Sequence, residues 1–420
     1  MKTKTNIKPG YKQTKLGLIP EDWIINELGE ISVVKDGTHD SPKYVKNGYP
    51  MITSKNLNSN GKLDFNNVSF LTQEDFDNIN KRSKVDIGDI IFGMIGTLGN
   101  PVILKSDNFA IKNVALIKEK EELKNNFLIH FLESNIIQKQ FYRVNAGGTQ
   151  KFLALGVIRK LQIPIPPLPE QEKIAAILST WDISIEKTQK LLEKLQARKK
   201  GLMQQLLTGK KRLKGFSGEW EEMKGIKLFK SISNKSHNGA FQVLSATQDK
   251  GVIPRSEVGI DIKYDKSSLK NYKKVEIGNF VISLRSFQGG IEYSEHEGII
   301  SPAYTILEEI LPIAKKFYIE YMKTDTFINK LNSIIYGIRD GKQISFKEFS
   351  SLKFLYPNLE EQKAIAAVLN QADEEIKYYE NYLEKLEAQK KGLMQVLLTG
   401  ALRVNAPSPR GEYASQNARR

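Results

Sequence analysis

Leu195-Gln-Ala-Arg-Lys-Lys-Gly-Leu-Met-Gln-Gln-Leu-Leu-Thr-Gly209 returns 191 positions later as Leu386-Glu-Ala-Gln-Lys-Lys-Gly-Leu-Met-Gln-Val-Leu-Leu-Thr-Gly400. Upstream, Leu168-Pro-Glu-Gln-Glu-Lys-Ile-Ala-Ala-Ile-Leu178 returns at the same offset as Leu359-Glu-Glu-Gln-Lys-Ala-Ile-Ala-Ala-Val-Leu369. From 168 to 209 the two copies share 24 of 42 positions without a gap, far beyond chance, so the chain is an internal duplication. The preceding segments match only faintly. Val85-Asp-Ile-Gly-Asp-Ile-Ile-Phe92 parallels Val275-Glu-Ile-Gly-Asn-Phe-Val-Ile282, and Phe127-Leu-Ile-His-Phe131 parallels Phe317-Tyr-Ile-Glu-Tyr321. Each half is a divergent globular segment followed by a nearly invariant one.

The invariant segments read as long helices. Residues 170–207 contain no proline and one glycine. Core positions run Ile174, Leu178, Trp181, Ile185, Thr188, Leu192, Leu195, Lys199, Leu202 and Leu206, alternating steps of four and three, the pattern of an a/d seam. The second copy runs Ile365, Leu369, Ala372, Ile376, Tyr379, Leu383, Leu386, Lys390, Leu393 and Leu397. Pro166, Pro167 and Pro169 prevent an earlier start, and Gly209 and Gly400 supply C-terminal stops. Each rod would be roughly 57 Å long at ~1.5 Å per residue. Residues 168–213 carry a net charge of +5 and residues 356–400 of −3, which favours pairing of the two copies. An intramolecular antiparallel coiled coil follows; the alternative is that each helix packs on its own domain alone. Gly201 and Gly392 lie mid-helix, where glycine costs ~1 kcal/mol against Ala, so either something approaches the backbone closely there or a defect is tolerated.

Composition bounds the rest. The chain has 420 residues, 40% of them hydrophobic, a net charge of +15 and no cysteine. That length implies two or three domains with real cores. The missing cysteine excludes disulfides, a thiolate metal site and a cysteine nucleophile. Met1-Lys-Thr-Lys-Thr-Asn6 has no apolar stretch behind it and does not read as a secretory signal; no segment approaches ~18 apolar residues, so no membrane span is expected. The expected location is cytoplasmic, and the cationic excess points to a polyanionic partner. The heads hold +6 (residues 1–167) and +4 (residues 214–355). They mix short β-rich runs with helical patterns near 127–141 and 315–331 and read as α+β.

These motifs carry a resemblance. The chain resembles the specificity subunit of type I restriction–modification systems. The likeness rests on Tyr11-Lys-Gln-Thr-Lys-Leu-Gly-Leu-Ile-Pro-Glu-Asp-Trp23, on Ile163-Pro-Ile-Pro-Pro-Leu-Pro-Glu-Gln-Glu-Lys-Ile174, and on Lys199-Lys-Gly-Leu-Met-Gln-Gln-Leu-Leu-Thr-Gly209 with its second copy. It implies two target-recognition domains (1–167 and 214–355) and two spacer helices (168–213 and 356–400) related by a pseudo-two-fold repeat. The tail at 401–420 fits no repeat, and its Pro, Ser, Gly and Asn content reads either as disordered or as a non-native appendage. It further implies no catalytic site in this subunit. Two modification subunits would bring the adenine methyltransferase and S-adenosylmethionine. Restriction subunits, joined through them, would bring ATP- and Mg-dependent chemistry.

The residues agree with a non-catalytic reading. Asn100-Pro-Val-Ile103 lacks the second proline and the aromatic ring of an adenine methyltransferase loop, and Gly337-Ile-Arg-Asp-Gly-Lys-Gln343 fails as a P-loop. His39, His130, His237 and His296 are dispersed and form no metal-ligand pair. Base reading needs polar or cationic side chains on projecting loops. In the first head the candidates are Thr38 and His39; Ser54, Lys55 and Asn56; Lys81, Arg82 and Ser83; and Thr149, Gln150 and Lys151 in a glycine-rich loop. In the second they are Ser245, Thr247 and Gln248; Arg285, Ser286 and Gln288; and Arg339, Lys342 and Gln343. The alternative for each is a solvated loop side chain. Gln171, Lys200, Met203 and Gln204, with the copies Gln362, Lys391, Met394 and Gln395, are expected on outward helix faces that dock the modification subunits. Double-stranded DNA is the expected substrate, two unlike half-sites separated by a gap that helix length sets. A stand-alone bipartite regulator, a coiled-coil interaction protein and an enzyme acting alone are the competing classes.

Overall fold

A computed structural model describes residues 8–58, 60–96, 98–144, 152–248, 250–259, 266–283, 290–335 and 344–404. The chain divides into two compact units: residues 1–188 with 382–420, and residues 189–381. The division falls inside both long helices, Leu168–Leu206 and Leu359–Leu397, each 39 residues long. Each unit therefore contains one head, the first half of the helix that follows it and the second half of the other helix. Within each unit the two halves run antiparallel. In the first, Lys390 faces Asp182 while Arg403 faces Glu170. In the second, Lys199 faces Asp373 while Arg212 faces Glu361.

The seam explains that exchange. Ile174 and Leu178 are buried in one core with Leu397 and Leu398; Ile365 and Leu369 are buried in the other with Leu206 and Leu207. A helix packed only on its own head would leave Leu206 and Leu397 without these partners. Each helix ends in the same way. Gly209 (φ 70) and Gly400 (φ 69) adopt the left-handed conformation that glycine tolerates, and Lys211 N donates to Gln205 O while Leu402 N donates to Val396 O. That six-residue bond satisfies a carbonyl the last turn would leave orphaned.

The heads share a frame. In the first, a four-stranded antiparallel sheet has the order Val33–Asp36, Val114–Lys118, Ile90–Gly93, Gly99–Ile103. In the second, Phe229–Ile232, Thr305–Glu309, Phe280–Ile282 and Ile291–Tyr293 repeat it. A short antiparallel pair leads into each long helix: Ile24–Glu27 with Gln162–Ile165, and Glu221–Lys224 with Lys353–Tyr356. Beyond that frame they diverge. The first head adds the strands Tyr49–Ile52, Ser69–Leu71 and Ala110–Ile111 and the helix Gln73–Ser83; the second adds the hairpin Leu244–Thr247/Gly251–Pro254 and the pair Lys273–Val275/Gly298–Ile300. Among the described residues no helix is long and apolar enough to cross a membrane.

Candidate nucleic-acid interface

In the first head a polar face forms where Val33–Asp36 runs out into a loop. Gly37 and Gly48 bracket that loop. A Cβ at Gly37 would sit 2.4 Å from Ile111 O, and one at Gly48 2.0 Å from Leu71 O, so glycine lets the loop bases press against neighbouring backbone. Thr38 then bridges Lys112: Thr38 N donates to Ile111 O at 3.0 Å, and Asn113 N to Thr38 O at 3.2 Å.

This brings together three stretches that the sequence singled out separately. His39 places Nε2 2.9 Å from Asp36 Oδ2 and Nδ1 2.7 Å from Asn113 Oδ1. Arg82, in the last turn of Gln73–Ser83, donates to Asp36 Oδ1. Ser54 Oγ donates to Asn113 O at 3.2 Å, and Lys112 Nζ to Ser41 Oγ at 2.8 Å. The His39 side chain is 54% exposed and Arg82 64%, whereas Asp36 is 11%: the cations face outward over a carboxylate sunk beneath them. Hydrogen bonds from Asp36 and then Asn113 raise the His39 pKa. Burial opposes the charge on Asp36, but His39 and Arg82 outweigh it and hold the carboxyl below its ordinary value.

Several candidates have other duties. Ser54, Asn56 and Ser83 are buried, not projecting. Asn56 Nδ2 ties Asp64 O and Asn67 O at 3.1 Å each, and Ser83 Oγ bonds Ile79 O, so both satisfy local backbone. Lys55 and Lys81 are exposed. In the second head Ser245 is buried and its Oγ accepts from Arg255 Nε at 3.3 Å. Thr247 Oγ1 donates to Gly251 O, closing the hairpin at whose tip Gln248 is exposed. Thr149, Gln150, Lys151, Arg285, Ser286, Gln288, Arg339, Lys342 and Gln343 lie outside the described residues. Asp36, Lys112, Asn113 and Arg255 escaped the sequence reading. Asp36 reads as a strand end, and only contact with His39 and Arg82 gives it a role. The polar pair Lys112-Asn113 ahead of the apolar run Val114-Ala-Leu-Ile117 was the available signal.

The docking expectation needs correction at four positions. Gln171 and Gln362 are fully buried. Gln171 Oε1 accepts from Lys124 N, and its Nε2 donates to Glu122 O and Pro166 O; Gln362 Oε1 accepts from Ala314 N, and its Nε2 donates to Pro357 O. Each glutamine plugs the start of a long helix onto its head, so a bonding duty explains its recurrence. Met203 and Met394 pack against the two cores. Lys200, Gln204, Lys391 and Gln395 are exposed. A Cβ on Gly201 or Gly392 would meet nothing within 4 Å among the described residues, so no close approach within the chain calls for glycine there.

A duplicated helical frame, conserved between two heads whose outer parts differ, defines a scaffold for two unlike recognition surfaces. Residues 20–197 match the family described as the type I restriction modification DNA specificity domain. A type I restriction enzyme specificity subunit of Methanocaldococcus jannaschii, MjaX, is 28% identical, the match covering 94% of this chain and 97% of that one. The EcoKI specificity subunit of Escherichia coli K12 is 22% identical over 92% of this chain and 90% of its own. Among solved structures, a chain from a study of the assembly and conformational transition of the type I R-M system superposes with a TM-score of 0.58 at 18% identity, covering 91% of this chain and 99% of its own. The crystal structure of the type I S subunit from M. genitalium gives 0.55 at 17%, covering 94% and 98%. Over residues 20–197 the chain thus matches the type I restriction modification DNA specificity domain, and over more than nine-tenths of its length it is similar to specificity subunits of type I restriction enzymes.

Proposed function

We propose that this chain gives a type I restriction–modification complex its DNA specificity, each unit reading one part of a bipartite duplex site. One observation carries the reading: a helical frame repeated at a fixed offset of 191 residues supports two heads that differ where polar side chains reach the surface. Selection for one duplicated mount under two divergent surfaces is what a two-part target requires. In the first head the reading face is the Asp36–His39–Arg82–Asn113 cluster with Thr38, Lys55, Lys81 and Lys112 around it; in the second it is the hairpin near Gln248, backed by Arg255. Cations at such a face position phosphates, while amide and guanidinium groups discriminate base edges.

The subunit acts in the cytoplasm and has no chemistry of its own. Two modification subunits dock on the exposed helix faces around Lys200, Gln204, Lys391 and Gln395 and supply S-adenosylmethionine-dependent adenine methylation. Restriction subunits join through them and supply ATP- and Mg-dependent cleavage. Gly201, half-buried, and Gly392, exposed, lie on the same stretches and leave room for a partner helix. Methylome sequencing of cells expressing this chain with its modification subunit tests the proposal. A bipartite motif with adenine methylation in both parts is expected; a continuous motif, or none, overturns it.

A further inference from the structure

Two of the described non-glycine residues have positive φ, Asn100 (46°) and Asn113 (56°). Asn113 is held there from three sides. Its N–H donates to Thr38 O, its carbonyl accepts from Ser54 Oγ, and its side-chain Oδ1 meets His39 Nδ1 at 2.7 Å. Its Nδ2 has no hydrogen-bond partner among the described residues, and the residue is half-buried at the surface. Asparagine tolerates the left-handed region better than most residues, and here that backbone conformation fixes its amide at the polar face.

His39 stands between two oxygens, Asp36 Oδ2 and Asn113 Oδ1. Both can be satisfied only when both ring nitrogens carry protons, that is, by the imidazolium. We propose that Asn113 reads a base edge and that the protonation of His39 selects which end of its amide faces the DNA. The inference rests on the reading of this face as the nucleic-acid interface. With His39 charged, Nδ1–H donates to Asn113 Oδ1 and the amide turns its two N–H donors outward. They suit acceptors in the major groove, guanine N7 and O6 or thymine O4. With His39 neutral, Nε2–H stays on Asp36 and Nδ1 becomes an acceptor. The amide then rotates to donate inward and presents Oδ1 to adenine N6 or cytosine N4.

The groups around His39 are Asp36 from its strand, Arg82 from the Gln73–Ser83 helix, Asp40 on its own loop and Lys112 from the neighbouring link. Asp36 favours the charged ring and Arg82 opposes it, with the balance on the charged side. Asp40 accepts from Thr38 Oγ1, and Lys112 donates to Ser41 Oγ.

The test is selection of bound duplexes from a randomised library by the complex of this chain with its modification subunit, at about pH 6 and about pH 8.5, either side of the titration of a histidine. At one position of one half-site, preference should move from guanine or thymine toward adenine or cytosine by on the order of tenfold as pH rises. His39→Gln should abolish that movement. Asn113→Asp, an acceptor at both pH values that also tolerates the left-handed backbone, should fix the high-pH preference. If Asn113→Asp and His39→Gln both select the same sequences as the unaltered chain at both pH values, the switch is wrong and the interface stands. If the unaltered chain selects no bipartite site at all, the interface reading fails and the switch falls with it.

Discussion

Arg403 forks onto Glu170: Nε lies 2.8 Å from Oε1 and Nη2 2.9 Å from Oε2, on a carboxylate only 1% exposed. Trp23 Nε1 donates to Oε2 of the same group at 3.0 Å. The second unit repeats the arrangement: Arg212, 191 positions before Arg403, reaches Glu361, 191 positions after Glu170, at 2.5 and 2.6 Å, and Trp220 Nε1 donates to it at 2.9 Å. A carboxylate at the buried start of one helix is thus neutralised by an arginine just beyond the glycine stop of the other. Two charge-assisted bonds in a planar fork and a third from an indole satisfy it.

Arg403→Ala should therefore be severe for the first unit. It leaves Glu170 buried and uncompensated, a loss of about 3–5 kcal/mol. Arg403→Lys keeps the charge but not the fork and should fall between. Hydrogen exchange of amides in the Ile24–Glu27/Gln162–Ile165 pair is the readout, because the chain has two units and a single global melt would not assign the loss. Unchanged protection in Arg403→Ala would show that the fork contributes little.

A second prediction concerns the charged seam positions. Lys390 Nζ lies 2.5 Å from Asp182 Oδ1 and 3.1 Å from Glu133 Oε2; its counterpart Lys199 lies 2.6 Å from Asp373 Oδ1 and 3.2 Å from Glu320 Oε2. Burial opposes the charge on Lys390, but the acids prevail and raise its pKa. Lys390→Met leaves two carboxylates facing an apolar stem; because Glu133 and Asp182 are 30% and 43% exposed and water screens them, the cost should be about 1–2 kcal/mol. Adding Asp182→Asn should recover part of that loss, and a denaturation cycle over the single and double variants measures the coupling.

His130 gives the first unit a sensitivity to acid. Its ring is buried against Ser179 and Asp182, and burial lowers its pKa from 6.5 to about 4 despite the nearby carboxylate. The unfolded chain takes up the proton first, so stability is complete above about pH 6.5 and falls as pH drops toward 4. The loss reaches about 3 kcal/mol below that value. Denaturant titrations of the unaltered chain and of His130→Gln should diverge over that window, the variant lacking this part of the slope; parallel curves would remove His130 from the account.

Gly201→Ala and Gly392→Ala separate folding from docking. Neither Cβ would meet a neighbour within 4 Å among the described residues, so each change should stabilise the isolated helix by about 0.5–1 kcal/mol. Where the glycine admits a partner helix, the same variants should bind the modification subunit more weakly in a pull-down or titration. A variant that is more stable and binds as before would make the glycines mere tolerated defects.

The repeat, the seam and the helix stops were legible because periodicity and glycine placement are local signals: every seam position from Ile174 to Leu206 is at least half-buried. The antiparallel pairing of the two helices was legible in the charge difference, and the cores that mix Leu397 with Ile174 and Leu206 with Ile365 show it; the division of each helix between the two units was not. The polar sites were only partly legible. Gln171 and Gln362 look like exposed glutamines on an amphipathic helix, and only the approach of Lys124 N and Ala314 N buries them. In the sequence Thr38, His39, Ser54 and Arg82 read as polar side chains on loops; that they surround Asp36 and Asn113 depends on strand pairings such as Thr38 with Lys112 that no local pattern encodes.

Salt dependence distinguishes the roles of the cations at the first head. Lys55 and Lys81 are exposed, and Lys81 is bonded only locally, to Asn78 Oδ1 at 2.9 Å. A lysine that contacts a phosphate contributes about 0.9 to the slope of log affinity against log salt. Lys55→Ala and Lys81→Ala should each lower the slope by about that amount and weaken all sequences alike. Arg82 differs because it also neutralises Asp36, whose side chain is 11% exposed. Arg82→Ala removes one cation and leaves a carboxylate facing the phosphates with His39 as its remaining partner. Its affinity loss at low salt should exceed that of either lysine variant, and Asp36→Asn placed on Arg82→Ala should restore part of it. Filter binding or fluorescence anisotropy on a specific and a scrambled duplex measures both effects; equal slopes and equal losses for the three single variants would reduce the cluster to undifferentiated positive charge.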